Sequence, residues 1–157
     1  MSTRDYFAEM YVAGLLADHG WNIYFPRRDK GFDFIVTKEV ESGIIVRPVQ
    51  VKGKYPEHDR AERNVYGYIG RLTQLHEEMV LAIPFFATAQ TTSAPDHVAF
   101  VPKAEIRPHQ RGYRVQPAQF KDGKASPRRD YQCYFGAEGI CAMEDLEWKG
   151  GRTRRCS

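Results

Sequence analysis

The chain has 157 residues, 42% of them hydrophobic and 27% charged, with a formal net charge of +3 at pH 7. This length and composition are typical of one folded domain and exclude a wholly disordered protein. No apolar stretch approaches membrane-spanning length, and the first residues lack the apolar core of a signal peptide. The three cysteines are odd in number and form no CxxC pair, which indicates neither a zinc site nor a disulfide framework. We therefore expect a single domain over residues 1–157, in the cytoplasm and without a membrane partner.

Basic residues are concentrated in the C-terminal part of the chain. Residues 101–157 contain 12 Lys and Arg against 7 Asp and Glu. The net charge of this part is therefore +5. Because the whole chain carries +3, the first hundred residues carry −2. Clusters of Lys and Arg release counterions when they contact phosphates, so this bias is compatible with a nucleic-acid partner. A solvated basic surface is the alternative interpretation.

A helix is predicted from Thr3, which can cap it, to Gly20, which can end it. Apolar residues recur along it at helical spacing, as in Ala8, Val12 and Leu15. Glu9 lies at the flank of this apolar stripe, where a carboxylate could face the edge of a sheet. The next segment, rich in aromatic and branched residues, predicts a first strand over residues 21–25.

Two further β-like segments, residues 31–36 and 44–51, are joined by a polar link short enough for an antiparallel hairpin. The first segment carries a lone acid, Asp33, and the second ends in Gln50-Val51-Lys52. Because strand side chains alternate, Gln50 and Lys52 share one face and Val51 points to the other. Pairing of the two strands would bring a carboxylate, an amide oxygen and an ammonium together, which suits a divalent cation and a water molecule.

The rest of the chain divides into a regular and an irregular part. We predict a polar loop over residues 53–68, a short helix over residues 69–78, and two continuously apolar strands over residues 80–86 and 97–101. The predicted order of elements is thus αβββαββ. The core is thus expected to cover about residues 3–102. Residues 103–157 show no sustained periodicity and predict a less regular C-terminal extension.

Taken together, the helix Glu9, the Gly-Phe-Asp-Phe-Ile-Val strand with Asp33, and Gln50-Val51-Lys52 resemble the PD-(D/E)XK nuclease superfamily. This superfamily includes Holliday-junction resolvases and many restriction enzymes, and the resemblance covers about the first hundred residues. It implies an α/β fold with a restriction-endonuclease-like αβββαβ core, in which helices flank a mixed central sheet. It also implies that Asp33 and Gln50 bind Mg²⁺, that Lys52 assists the attacking water, and that Glu9 is a further ligand or orients that water.

Two residues depart from the superfamily pattern. Phe32 replaces a proline that is not a ligand, and Gln50 replaces an acid that usually is. A glutamine amide oxygen can coordinate a hard cation but lacks the negative charge that attracts it. Binding of Mg²⁺, or of Mn²⁺ as a substitute, would then depend more on Asp33, Glu9, the Val51 carbonyl and the DNA phosphate.

The resemblance implies a Mg²⁺-dependent endodeoxyribonuclease that acts on DNA, either branched or a site-specific duplex. A homodimer is expected because cutting both strands needs two sites. The basic residues that we expect to contact DNA are Arg27, Arg28, Lys30, Lys54, Arg107 and Arg111. Two alternatives remain open. One is a catalytically degenerate module that binds nucleic acid without cutting it, and the other is an interaction protein in which the strand cluster is coincidental.

Overall fold

The computed structural model describes residues 3–28, 31–56, 67–68, 75–87, 93–110 and 112–150. Helix α1, Thr3–Asp18, opens this part of the chain. Its buried residues Ala8, Val12 and Leu16 recur every four positions, so they lie on one face of the helix. Gly20 follows the helix with φ of 90°, a conformation that glycine adopts without strain. The predicted first helix is therefore confirmed.

Ten strands are described. Their bounds are β1 Asn22–Tyr24, β2 Phe34–Val40, β3 Gly43–Val51, β4 Gly67–Tyr68, β5 Val80–Phe85, β6 His97–Pro102, β7 Arg107–His109, β8 Gly112–Val115, β9 Ala118–Lys121 and β10 Lys124–Pro127. Five of them form a sheet in the order β1-β2-β3-β5-β6. In this sheet β3 and β5 are parallel, and every other neighbouring pair is antiparallel. The protein thus has an α/β fold with a mixed central sheet.

Strands β2 and β3 form the predicted antiparallel hairpin, with a register from Phe34 opposite Val49 to Val40 opposite Gly43. Strand β5 pairs with β3 only along Val49–Val51. Pro48 has no N–H to donate, and it lies just before this paired stretch. The ladder between β3 and β5 therefore loses no hydrogen bond to the proline.

The two faces of the central sheet are buried by different parts of the chain. One face packs against α1 and against the C-terminal helices α2, Gly136–Ala142, and η3, Leu146–Gly150, through residues such as Val49, Val51 and Phe100. The other face carries Leu81, Ile83 and Phe85 of β5 and packs against a second layer. That second layer contributes Val115, Ala118, Phe120 and Ala125 from β8, β9 and β10.

The C-terminal extension is more regular than the sequence predicted. Two short 3₁₀ helices, η1 Lys103–Glu105 and η2 Arg129–Tyr134, flank the hairpins β7–β8 and β9–β10. The turn between β9 and β10 is Asp122-Gly123, with φ of 52° and 77°. Positive φ at both turn residues matches the twist of a hairpin, which explains the Asp-Gly dipeptide.

The helix predicted over residues 69–78 is only partly described. Residues 69–74 lie outside the described ranges, and residues 75–78 are not helical, with a turn at residues 77–78. No helix in the described ranges is long and apolar enough to cross a membrane.

The cysteines differ from the sequence expectation. Cys141 is an exposed free thiol, whereas Cys133 is buried and disulfide-bonded. The sequence indicated no disulfide framework, and it did not anticipate the bond at Cys133. A cytoplasmic location stays a prediction.

Candidate functional site

The carboxylate of Asp33 contacts the end of strand β3. Its Oδ2 accepts a hydrogen bond from the backbone N–H of Val51 at 2.6 Å and another from Nε2 of Gln50 at 3.3 Å. The backbone N–H of Asp33 also donates to the carbonyl of Val49 at 2.9 Å. The structure thus brings together the acid of one predicted strand segment and the amide of the next.

The strand geometry explains why this carboxylate is needed there. The N–H of Lys52 donates to the carbonyl of Ala82 in β5 at 2.9 Å. Because successive N–H groups of a strand point to opposite sides, the N–H of Val51 points away from β5, toward β2. Strand β2 begins only at Phe34, so no β2 backbone pairs with this N–H. The Asp33 side chain accepts the hydrogen bond instead.

Gln50 is buried, with 8% of its surface exposed. Its amide donates an N–H to the Asp33 carboxylate, the favourable orientation when no cation competes for the negative charge. Rotation of the amide by half a turn would bring Oε1 beside Asp33 Oδ2 instead, because the two ends of the amide have nearly the same shape. The pair could therefore present two oxygen atoms to a hard cation.

Lys52 directly follows β3, and its side chain is exposed. The alternation along the strand directs it to the same side as Gln50. Within the described residues, its ammonium forms no hydrogen bond or ion pair. A cationic group is thus available two positions from Gln50, at the solvent-exposed edge of the site.

Glu9 reaches this region from a different layer. It is partly buried on α1, and α1 packs on the sheet face that carries Val49 and Val51, opposite to Gln50. The helix comes close to the chain just after Lys52, because a Cβ added to Gly53 would lie 3.4 Å from that of Ala8. That Glu9 acts at the same centre as Asp33 stays a prediction.

The donor set fits a hard cation that retains several water ligands. It combines the Asp33 carboxylate with neutral oxygens from Gln50 and the Val51 backbone, the ligand types that Mg²⁺ accepts. Within the described ranges, no group of three or more His, Cys, Asp or Glu side chains could hold a metal ion. A centre with glutamine in place of one acid is expected to lack such a group. We therefore expect weaker cation binding than at an all-acid site.

The basic residues expected to contact DNA are dispersed. Arg27 and Arg28 are exposed after β1, and Arg107 is exposed on β7. Lys54 is partly buried and continues the path of β3, since its backbone N–H donates to the Pro84 carbonyl at 2.9 Å. The two remaining candidates, Lys30 and Arg111, lie outside the described residues.

Sequence reasoning overlooked Arg47, which is 3% exposed in β3. Its guanidinium donates to the carbonyls of Met143 at 3.1 Å and Asp145 at 3.0 Å, and pairs with the Glu78 carboxylate. It also lies 5.9 Å from the ring of Trp148. Burial lowers the pKa of Arg47 to about 10, although the nearby charge of Asp145 opposes this shift. The residue fixes the C-terminal helices to β3, and a lone arginine in an apolar strand was the available signal.

No family model matches the chain, and neither a curated protein nor a solved structure matches it. A functional proposal therefore rests on the geometry around Asp33 and on the motif residues themselves.

Proposed function

We propose that this protein is a metal-dependent endonuclease that hydrolyses phosphodiester bonds in DNA. The observation that carries the proposal is the contact of the Asp33 carboxylate with the Gln50 amide and the Val51 N–H. In the PD-(D/E)XK superfamily, the acid of one strand and the (D/E)-x-K segment of the next share one centre. The arrangement of Asp33, Gln50 and Lys52 is compatible with that requirement.

The sheet topology supports the same proposal. Helix α1 precedes three successive antiparallel strands, and β5 then pairs in parallel with β3. Two parallel neighbours need a crossover connection of about a dozen residues or more. The chain between β3 and β5, residues 52–79, is long enough for one. The strand order and the length of this connection support a restriction-endonuclease-like αβββαβ core, which stays part of the proposal.

The site residues would divide the chemistry among them. Asp33, Gln50 and the Val51 carbonyl would hold Mg²⁺ or Mn²⁺, with Glu9 as a further ligand or water-orienting group. When bound, such a cation offsets negative charge on the phosphoryl oxygens and makes its bound water more acidic. The exposed ammonium of Lys52 would hold the attacking water and stabilise charge that develops on the phosphate. The two N–H donors to Asp33 keep its carboxylate oriented for this role.

The test is nicking of supercoiled plasmid DNA by the wild type and by Asp33→Asn, with Mg²⁺, with Mn²⁺ and with a chelator. Asparagine keeps an oxygen that can accept the Val51 N–H but removes the charge, so folding should be preserved. We expect metal-dependent nicking by the wild type and none by the variant. Normal nicking by a folded Asp33→Asn protein would refute the assignment.

A second candidate function is a nuclease-fold module that binds DNA without cutting it. It is favoured by the interaction of Gln50 with Asp33, in which an amide N–H occupies the carboxylate that a cation would need. Salt-sensitive DNA binding without nicking in any divalent metal would support this module. A protein with no DNA affinity at all would favour a structural or interaction role instead.

The nature of the DNA substrate and the assembly of the protein are part of the same proposal. Branched DNA and a site-specific duplex are the two substrate classes suggested by the motif resemblance. A homodimer would provide one site for each strand. Nicking assays on a four-way junction and on a matched duplex, with the molar mass of the protein in solution, would test both points.

A further inference from the structure

The hairpin β9–β10 has one buried face and one outward polar face. Ala118, Phe120 and Ala125 are buried against the second face of the central sheet. The register pairs Lys121 with Lys124 across the two strands. Two positions farther from the turn, Gln119 pairs with Ser126. Since side chains of a hairpin alternate in and out, these two polar pairs point to solvent together.

The lysine pair has no internal electrostatic explanation. Lys121 and Lys124 are directly opposite each other, and like charges in that position repel. In the part of the chain that the structure describes, no carboxylate forms an ion pair with either lysine or with the exposed Arg129. Asp122 lies in the turn between the lysines and still pairs with neither. Such an unbalanced positive surface is suited to an external anion.

An open pocket continues this surface at the base of the hairpin. It has a volume of about 390 Å³ and is lined by Gln119, Ser126, Pro127, Arg128, Arg129 and Asp130. The guanidinium of Arg128 is held in place, because it donates to the Gln116 carbonyl at 2.9 Å and lies 5.5 Å from the Tyr131 ring. Arg129 is exposed beside it. Among the described residues of the lining, Asp130 alone carries a carboxylate, and it would oppose an anion.

We infer that the outward face of the β9–β10 hairpin and the pocket at its base bind the phosphodiester backbone of duplex DNA. The identity of the polyanion rests on the proposed function, whereas the existence of an anion-binding surface rests on the hairpin itself. Paired lysines and an exposed arginine on one rigid hairpin can contact phosphates along a strand. Lysine and arginine contacts to phosphate position a protein on DNA without reading its sequence. This surface would thus position the duplex relative to the site at Asp33.

The experiment measures binding of a short duplex DNA at several salt concentrations, in a buffer without divalent metal. The variants are Lys121→Gln with Lys124→Gln, Arg129→Gln, and Lys103→Gln as a control for loss of one positive charge outside the hairpin. Each lost phosphate contact lowers the slope of log affinity against log salt by about one. We expect a decrease of about two for the double variant, about one for Arg129→Gln, and none for the control.

A variant that removes a negative charge instead of a positive one sharpens the test. Asp130→Asn removes a negative charge from the pocket lining, so it should raise DNA affinity severalfold while the slope stays near that of the wild type. Lys121 and Lys124 are both exposed, so thermal unfolding of the double variant should be unaffected or slightly improved by loss of their mutual repulsion. A double variant that binds DNA with the wild-type slope would overturn the inference.

Failure of this inference is distinguishable from failure of the proposed function. If the wild type nicks plasmid and the double variant binds DNA normally, the hairpin surface is wrong and the nuclease proposal stands. If the hairpin variants lose salt-dependent binding while no protein nicks DNA, the surface is supported and the catalytic proposal fails. A wild type that binds no duplex DNA overturns the inference directly.

Discussion

Strand β3 carries a polar cluster on each face, and the two clusters are organised differently. On the face toward α1, Arg47 is almost fully buried, and its guanidinium has two carbonyl partners, a carboxylate and an aromatic ring. On the other face, Gln50 donates to the Asp33 carboxylate, and Lys52, two positions farther along the chain, is exposed. A saturated buried cation stabilises the fold, whereas an open set of an acid, an amide and a cation is suited to chemistry. The two clusters should therefore respond oppositely to substitution.

Lys52→Ala is expected to give the largest separation between activity and stability. Loss of a group that holds the attacking water and stabilises charge should slow plasmid nicking by about 10³-fold, or about 4 kcal/mol of transition-state free energy. Because the side chain is exposed, the free energy of unfolding should stay within about 0.5 kcal/mol of the wild type. Single-turnover nicking and urea denaturation of the same preparation check both values. A nicking rate near that of the wild type would remove Lys52 from the mechanism.

The opposite pattern is expected for Arg47→Ala. Its loss leaves the carbonyls of Met143 and Asp145 without their donor, and should lower the free energy of unfolding by about 3 kcal/mol. Urea denaturation at 25 °C measures this change. Where the variant remains folded, nicking should be retained, because Arg47 faces away from Asp33. A stable variant with no activity would contradict the separation of the two clusters.

The lowered pKa of Arg47 adds a pH test to this variant. With a folded-state pKa of about 10, below its ordinary value, the unfolded state binds more protons than the folded state above about pH 10. This group therefore makes stability rise with pH only in that alkaline window. At pH 6 to 9 it is protonated in both states, so the stability difference between wild type and variant should be flat in that range.

A smaller effect is expected from Gln50→Glu, which should lower the Mg²⁺ requirement rather than impair activity. The added negative charge at the centre should lower the Mg²⁺ concentration that gives half-maximal nicking by about tenfold, equivalent to about 1.4 kcal/mol. A metal titration of the nicking rate measures this shift. Gln50→Leu is the matched control, since it keeps a similar volume without an oxygen and should raise the Mg²⁺ requirement. Equal metal requirements for all three proteins would exclude Gln50 as a ligand.

The smallest expected difference is in stability, between two substitutions that test the dual role of Asp33. Asp33→Ala removes the acceptor of the Val51 N–H and should cost about 1 to 2 kcal/mol of stability, whereas Asp33→Asn should cost less than about 1 kcal/mol. Both should abolish nicking. Thermal unfolding of the two variants side by side measures the difference. Equal stability would mean that water replaces the carboxylate at Val51.

The first half of the fold could be predicted because its local signals agree. Alternating side chains and a short polar link predicted the hairpin of β2 and β3, and pairing of these strands brought Asp33 to Gln50. The strand boundary could not be predicted, since Asp33 lies just before β2 rather than inside it. Because Asp33 precedes the first residue of β2, its side chain can accept the hydrogen bond from Val51. Its position therefore depends on the residue at which the pairing of β2 with β3 ends.

The second half was missed because its strands are only three or four residues long, too short for periodicity to be detected. One signal was available, since Asp122-Gly123 stands between residues that alternate between buried and exposed. Arg47 illustrates a different limit. Its partners come from residues 78 and 143–145, and no local pattern of sequence connects positions so far apart.

The layer formed by strands β8 to β10 has a consequence for how the protein is made. Synthesis proceeds from the N-terminus, so the β2–β3 hairpin and the residues around Asp33 emerge from the ribosome first. Leu81, Ile83 and Phe85 would then remain uncovered until Phe120 and Ala125 have been translated. A nascent chain stopped at Pro102 would expose this apolar row and be prone to aggregation. Burial of the second face of the central sheet would thus be completed only when the last third of the polypeptide has been synthesised.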